Sequence, residues 1–155
     1  MKYALITIVE SNDQNLNSQN DINFSEKRLY EDEAILCFKN WRAKGGWLKD
    51  IAIYAYCPTK NVVSEETKAE FEKLNVNYIE NYLEETETLK SGFWCVPLCG
   101  MLFEEMLSED IFIHIDLDMN LIKPLPESIF EDVINNDYVL CGQYDDVSSN
   151  MQRKL

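Results

Sequence analysis

Short apolar runs alternate with helical stripes along this chain of 155 residues. Tyr3 to Val9, YALITIV, reads as a buried β-strand, and the polar stretch from Glu10 to Asp21 reads as a long loop of the kind that often carries function. Tyr30, Ala34, Cys37, Phe38 and Trp41 recur at helical spacing. A helix is therefore expected from an N-cap at Ser25 to about Lys44, where Gly45-Gly46 ends it. Ile51 to Cys57, IAIYAYC, reads as a second strand stopped by Pro58. Ser64 followed by Glu65 and Glu66 opens a second helix that ends near Leu74, and Val76 to Ile79 gives a short third strand. Ser91 to Leu107 is apolar on nearly all sides and reads as a buried helix with Pro97 in its first turns. Ile111 to Leu117 is a central strand, Glu127 to Asn135 a further helix, and Tyr138 to Gly142 a last strand. Strands alternating with helices predict an α/β fold: a mostly parallel central sheet, right-handed crossovers, and helices on both faces.

Composition adds limits to that pattern. A hydrophobic share of 46% over 155 residues suits one domain spanning 1–155, with no repeat or linker. No apolar window of about 18 residues is present, and the start turns polar too early for a secretory signal, so a cytoplasmic protein, soluble or peripheral to a membrane, is expected. Cys37, Cys57, Cys95, Cys99 and Cys141 are odd in number and mostly embedded in apolar sequence, which reads as reduced core thiols. The net charge of -14 excludes a broad nucleic-acid surface, because clustered Lys and Arg are missing. An anionic ligand would need a divalent cation beside it.

Ligands of open parallel sheets bind beyond the carboxyl ends of the strands. Three such ends gather chemistry here: Val9, Glu10 and Ser11; Tyr56 and Cys57; and Asp116 with Asp118. In an extended chain residues 116 and 118 point to the same face, so two carboxylates converge. Alone they repel, and one tends to take up a proton; Mg2+ or Mn2+ removes the conflict. The alternative is a pair that merely ends the strand and binds water or caps the next segment.

The run FIHIDLDMNLIKPLP, Phe112 to Pro126, resembles the metal-binding segment of GT-A-type nucleotide-sugar glycosyltransferases, in which an apolar strand closes in Asp-x-Asp. Gly92-Phe93-Trp94, at the start of the apolar helix, and the first strand with its long loop resemble that family's nucleotide-binding half. The likeness implies a Rossmann-like GT-A fold that uses a nucleotide-diphosphate sugar, UDP-linked as is commonest in the family, and a glycan or other hydroxyl acceptor. It implies Asp118 as principal ligand of Mn2+ or Mg2+, and Asp116 on the ribose or the metal. It further implies base and ribose contacts at Thr7, Val9, Glu10 and Ser11, and Tyr56 shaping the base pocket. Asp145 and Asp146 are the carboxylates offered as catalytic base, with a solvated loop as the alternative. Lys90 and Lys123 are offered to phosphate or sugar, against the usual fate of lysines as surface groups.

Two features depart from the family pattern. The further downstream metal ligand, often His, has no counterpart, since the single histidine, His114, lies within the strand. The family's catalytic domain also continues further, so the expectation is a fragment, or a minimal domain whose acceptor half is rudimentary or supplied by a partner or a second copy. Two other readings compete. In a haloacid dehalogenase-type phosphatase, Asp116 would be the nucleophile and Asp118 the acid/base, although Asn120 stands where Thr or Val is usual. In a catalytically inactive module the same site would bind nucleotide sugar without turnover.

Overall fold

The computed structural model describes residues 1–11, 29–58, 61–80 and 107–136. The chain separates into two compact units, Met1–Pro124 and Leu125–Leu155. In the first, β1 (Tyr3–Ile8) is followed by α1 (Leu29–Lys44), a 3-10 turn at Gly46–Leu48, β2 (Ala52–Cys57), α2 (Glu65–Lys73), β3 (Val76–Glu80) and β4 (Ile111–His114). The second contains α3 (Ser128–Asn136).

The four strands form one sheet in the order β3-β2-β1-β4. All three pairings are parallel, with Leu5 opposite both Ile53 and Ile113. The protein is thus of α/β type, as alternation of strand and helix predicts. β1 is central and carries the most buried run, with Ala4, Leu5 and Ile6 at 0–1% exposure, because both its edges are paired and its faces covered.

On α1 the buried positions Glu31, Ala34, Cys37, Phe38 and Trp41 recur at three and four residues, so one stripe of the helix faces the core. Phe38 meets Phe71 of α2 edge to face, with ring centroids 5.3 Å apart. Such a pair adds about 1 kcal/mol beyond the area it buries. Contact between α1 and α2 follows from topology. Two successive right-handed crossovers moving the same way across a sheet leave their helices side by side on one face.

The ends of these helices are chemically defined. The Ser64 hydroxyl accepts from the Thr67 N–H and caps α2, as the sequence predicts. At the end of α1 the Gly45 N–H closes on Trp41 O at 2.8 Å, and Gly46 takes a left-handed φ of 61°. A Cβ on Gly46 would stand 2.7 Å from the Pro124 Cβ, so glycine meets a backbone and a packing requirement together. Arg42, in the last turn of α1, donates to Leu74 O, Lys49 O, Ile51 O and Asn75 O at 2.7–2.8 Å. One guanidinium thereby joins the end of α1, the entry to β2 and the end of α2.

In the second unit, α3 begins where Ile129 and Phe130 donate their N–H groups to Pro126 O and Glu127 O. Phe130 is buried and Ile129 and Ile134 are partly exposed.

One element is corrected. The expected strand from Ile111 to Leu117 stops at His114. Ile115 still donates to Ile6 O at 3.2 Å, but the Met119 N–H then returns to Asp116 O at 3.1 Å, and the chain turns out of the sheet. The cause is local. Asp116 Oδ1 accepts from the Leu117 N–H at 2.8 Å, an Asx-type bond that competes with the β-ladder. The Ser25 cap, residues 91–106 of the buried helix, the strand at 138–142, and Cys95, Cys99 and Cys141 lie outside the described residues. Cys37 and Cys57 are buried free thiols.

Candidate functional site

The strand order places a topological switch between β1 and β4. From β1 the chain leads toward β2, and from β4 the pairing runs back to β1 from the other side. At such a point the outgoing connections diverge and leave a crevice beyond the carboxyl ends. Hydrogen bonds define where the two exits lead. After β1, the Val9 N–H donates to Tyr56 O at 2.9 Å and the Ser11 N–H to Asn61 O at 2.7 Å, drawing the chain toward β2 and α2. After β4 the chain runs along α1. The Cys37 thiol donates to Met119 O at 3.5 Å, and the Asn40 amide donates to Leu121 O and accepts from the Leu121 N–H.

Asp116 and Asp118 occupy the turn at the β4 end. They are not displayed by an extended strand, as their spacing alone suggests, but flank Leu117, which is 9% exposed and anchors the turn in the core. Both aspartates are exposed. Asp116 Oδ1 is engaged by the Leu117 N–H, while Asp118 makes no hydrogen bond or ion pair to the described residues. The field of the pair reaches α1. Burial, then Asp118 and Asp116, push the Glu33 carboxyl above its ordinary value. Burial, then Asp116 and Asp118, push the Cys37 thiol up to about 12. Glu33, Cys37 and Asn40 stand at i, i+4 and i+7, one stripe of α1 turned toward the exit of β4.

The site is electronegative, and its donor set suits a hard divalent cation that takes one or two carboxylates and completes its shell with substrate oxygens. Among the described residues no group of three or more His, Cys, Asp and Glu is gathered to hold a metal ion by protein ligands alone.

The remaining predicted site residues divide. Thr7 is 4% exposed and paired within the sheet, and Val9 is 0% exposed. Both side chains are thus enclosed in the core and not presented at the surface. Glu10 and Ser11 are half-buried at the mouth of β1. Ser11 donates its hydroxyl to Glu31 Oε1 at 2.9 Å. Tyr56 is 1% exposed and packed with Ile8, Tyr54, Ile79 and Leu107, so its ring is a core element in this conformation. Lys123 is exposed on the segment after the turn, and His114 is exposed at the end of β4. Lys90, Asp145 and Asp146 lie outside the described residues.

Glu31 is the residue that sequence reasoning missed most plainly. It is 2% exposed and accepts from Ser11, from the Ser64 N–H and hydroxyl, and from the Thr67 hydroxyl. Burial raises its pKa, but hydrogen bonds from Thr67, Ser64 and Ser11 outweigh that and hold the carboxyl below its ordinary value. Its place on the buried stripe of α1, three residues before Ala34, is the signal that was available.

No helix among the described residues is long and apolar enough to cross a membrane. Comparison with protein-family models, with curated proteins and with solved structures finds no match.

Proposed function

We propose that the chain is a nucleotide-diphospho-sugar-binding domain of a GT-A-type glycosyltransferase, taking a UDP-linked donor with Mn2+ or Mg2+. The observation that carries the reading is the exposed Asp116–Asp118 turn at the carboxyl edge of an all-parallel sheet, beside the β1–β4 switch point. Two further features support it. The pair has no basic partner among the described residues, so a diphosphate alone would be repelled. Residues after β1, Glu10 and Ser11, stand where a nucleoside would meet the crevice.

In this reading Asp118, uncommitted to the described residues, is the principal ligand. Asp116 offers Oδ2 while Oδ1 stays on the Leu117 N–H and fixes the turn. A bound Mg2+ or Mn2+ would stabilise charge on the departing nucleoside diphosphate. The protein's own contribution is to hold the carboxylates at the carboxyl edge of the sheet, and to fix Ser11 through its N–H on Asn61 O and its hydroxyl on Glu31.

Titration calorimetry of UDP and GDP, with and without Mn2+, on wild type and Asp118→Asn tests this. Binding of one nucleoside diphosphate that needs both Mn2+ and Asp118 is expected. No binding under any condition overturns the reading, and trapping of a phosphoryl group on Asp116 would transfer the site to phosphatase chemistry. Binding without turnover on any donor and acceptor would make the chain a binding module.

A further inference from the structure

The segment after the aspartates runs back along α1 without a β-partner among the described residues. Cys37 meets Met119, Asn40 meets Leu121, and Gly46 receives Pro124, so positions climb together on helix and strap. The strap bends at Ile122 and Lys123 on its way. The strap is thinly held. Met119 is 44% exposed and Ile122 92% exposed, and the thiol bond of Cys37 at 3.5 Å is weak.

Asn40 is the exception. Its Oδ1 accepts from the Leu121 N–H at 2.6 Å and its Nδ2 donates to Leu121 O at 3.2 Å. Both peptide groups of one residue are thereby satisfied by one side chain, in the way a neighbouring strand would satisfy them. The middle of a helix has no backbone groups to spare, because its N–H and C=O groups are used within the helix. A carboxamide carries a donor and an acceptor on separate atoms and so replaces both.

We propose that Asn40 is a positioning residue for the Asp116–Asp118 turn. By fixing Leu121 three residues after Asp118, it stops the turn from swinging away from the switch point. This rests on the reading of the pair as the metal-binding group, and the test separates the two.

The test compares wild type, Asn40→Leu and Phe71→Leu. Leucine keeps the branched shape of Asn40 and removes both bonds, while Phe71→Leu weakens the fold in the α1–α2 packing. Amide hydrogen exchange at residues 117–121 is followed without metal, and Mn2+ affinity is followed by electron paramagnetic resonance. In Asn40→Leu the Leu121 amide should exchange about fivefold faster or more, and the Kd for Mn2+ should rise about tenfold, the usual scale for losing support behind a metal ligand. Phe71→Leu should leave Mn2+ affinity unchanged in its folded fraction. Unchanged exchange at Leu121, or faster exchange with Mn2+ affinity equal to wild type, overturns the proposal. A wild type that binds no Mn2+, with or without UDP, sinks the metal reading itself and the positioning role with it. Exchange then reports only whether Asn40 holds the strap.

Discussion

The hydroxyl of Ser64 donates to Glu31 Oε2 at 2.7 Å across 33 residues of sequence. The same Ser64 oxygen caps α2, so a buried carboxylate and a helix N-terminus share one hydroxyl, an arrangement that the helix dipole favours. Glu31→Gln replaces an acceptor with an amide that cannot serve all its donors, and should cost about 2–3 kcal/mol. The pH dependence has a definite sign. Because the folded-state pKa lies below the ordinary value of 4.5, the ionised carboxylate contributes fully above that value. The contribution fades as pH falls through the folded-state pKa. Urea midpoints should show the gap between wild type and Glu31→Gln narrowing in acid. A gap that stays constant would mean that Glu31 is not ionised in the fold.

Arg42 serves four carbonyls from three directions, which a single ammonium cannot do. Arg42→Lys should lower stability by about 2 kcal/mol, despite keeping the charge. Denaturant unfolding checks this. A Lys variant equal to wild type would show that water replaces the lost bonds without penalty.

Cys37 is 0% exposed, and burial with the two aspartates pushes its thiol up to about 12. The thiolate is the reactive form, so native protein treated with iodoacetamide should carry no label at Cys37 when mapped by mass spectrometry. The same residue should label readily in denaturant. Native labelling at Cys37 would show that α1 parts from the Asp116 turn in solution.

Much of the sheet unit was legible because its signals are local. The Ser64 cap, the glycine stop after Lys44 and the apolar runs of β1, β2 and β3 each agree with the structure to within a residue or two. The end of β4 was not legible, because apolar character continues through Leu117 while the Asp116 side chain captures the next N–H. Alternation therefore described the wrong geometry for a pair whose location it indicated correctly. Glu31, Asn40 and Arg42 were illegible for another reason. Each looks like an ordinary polar helix residue until a partner 32 to 81 residues away is brought beside it.

The central place of β1 has a consequence for how the chain is made. Its second neighbour arrives very late: Lys2 bonds Asp110, 108 residues further on, at the start of β4. At ribosomal speed that interval is roughly 5–20 s. Throughout it YALITI has one partner strand at most and one bare edge, the situation in which strands recruit foreign chains. A nascent chain of this protein should therefore depend on chaperone capture until residue 114 has emerged, and deletions that delay β4 should send it to aggregates rather than to a smaller folded sheet.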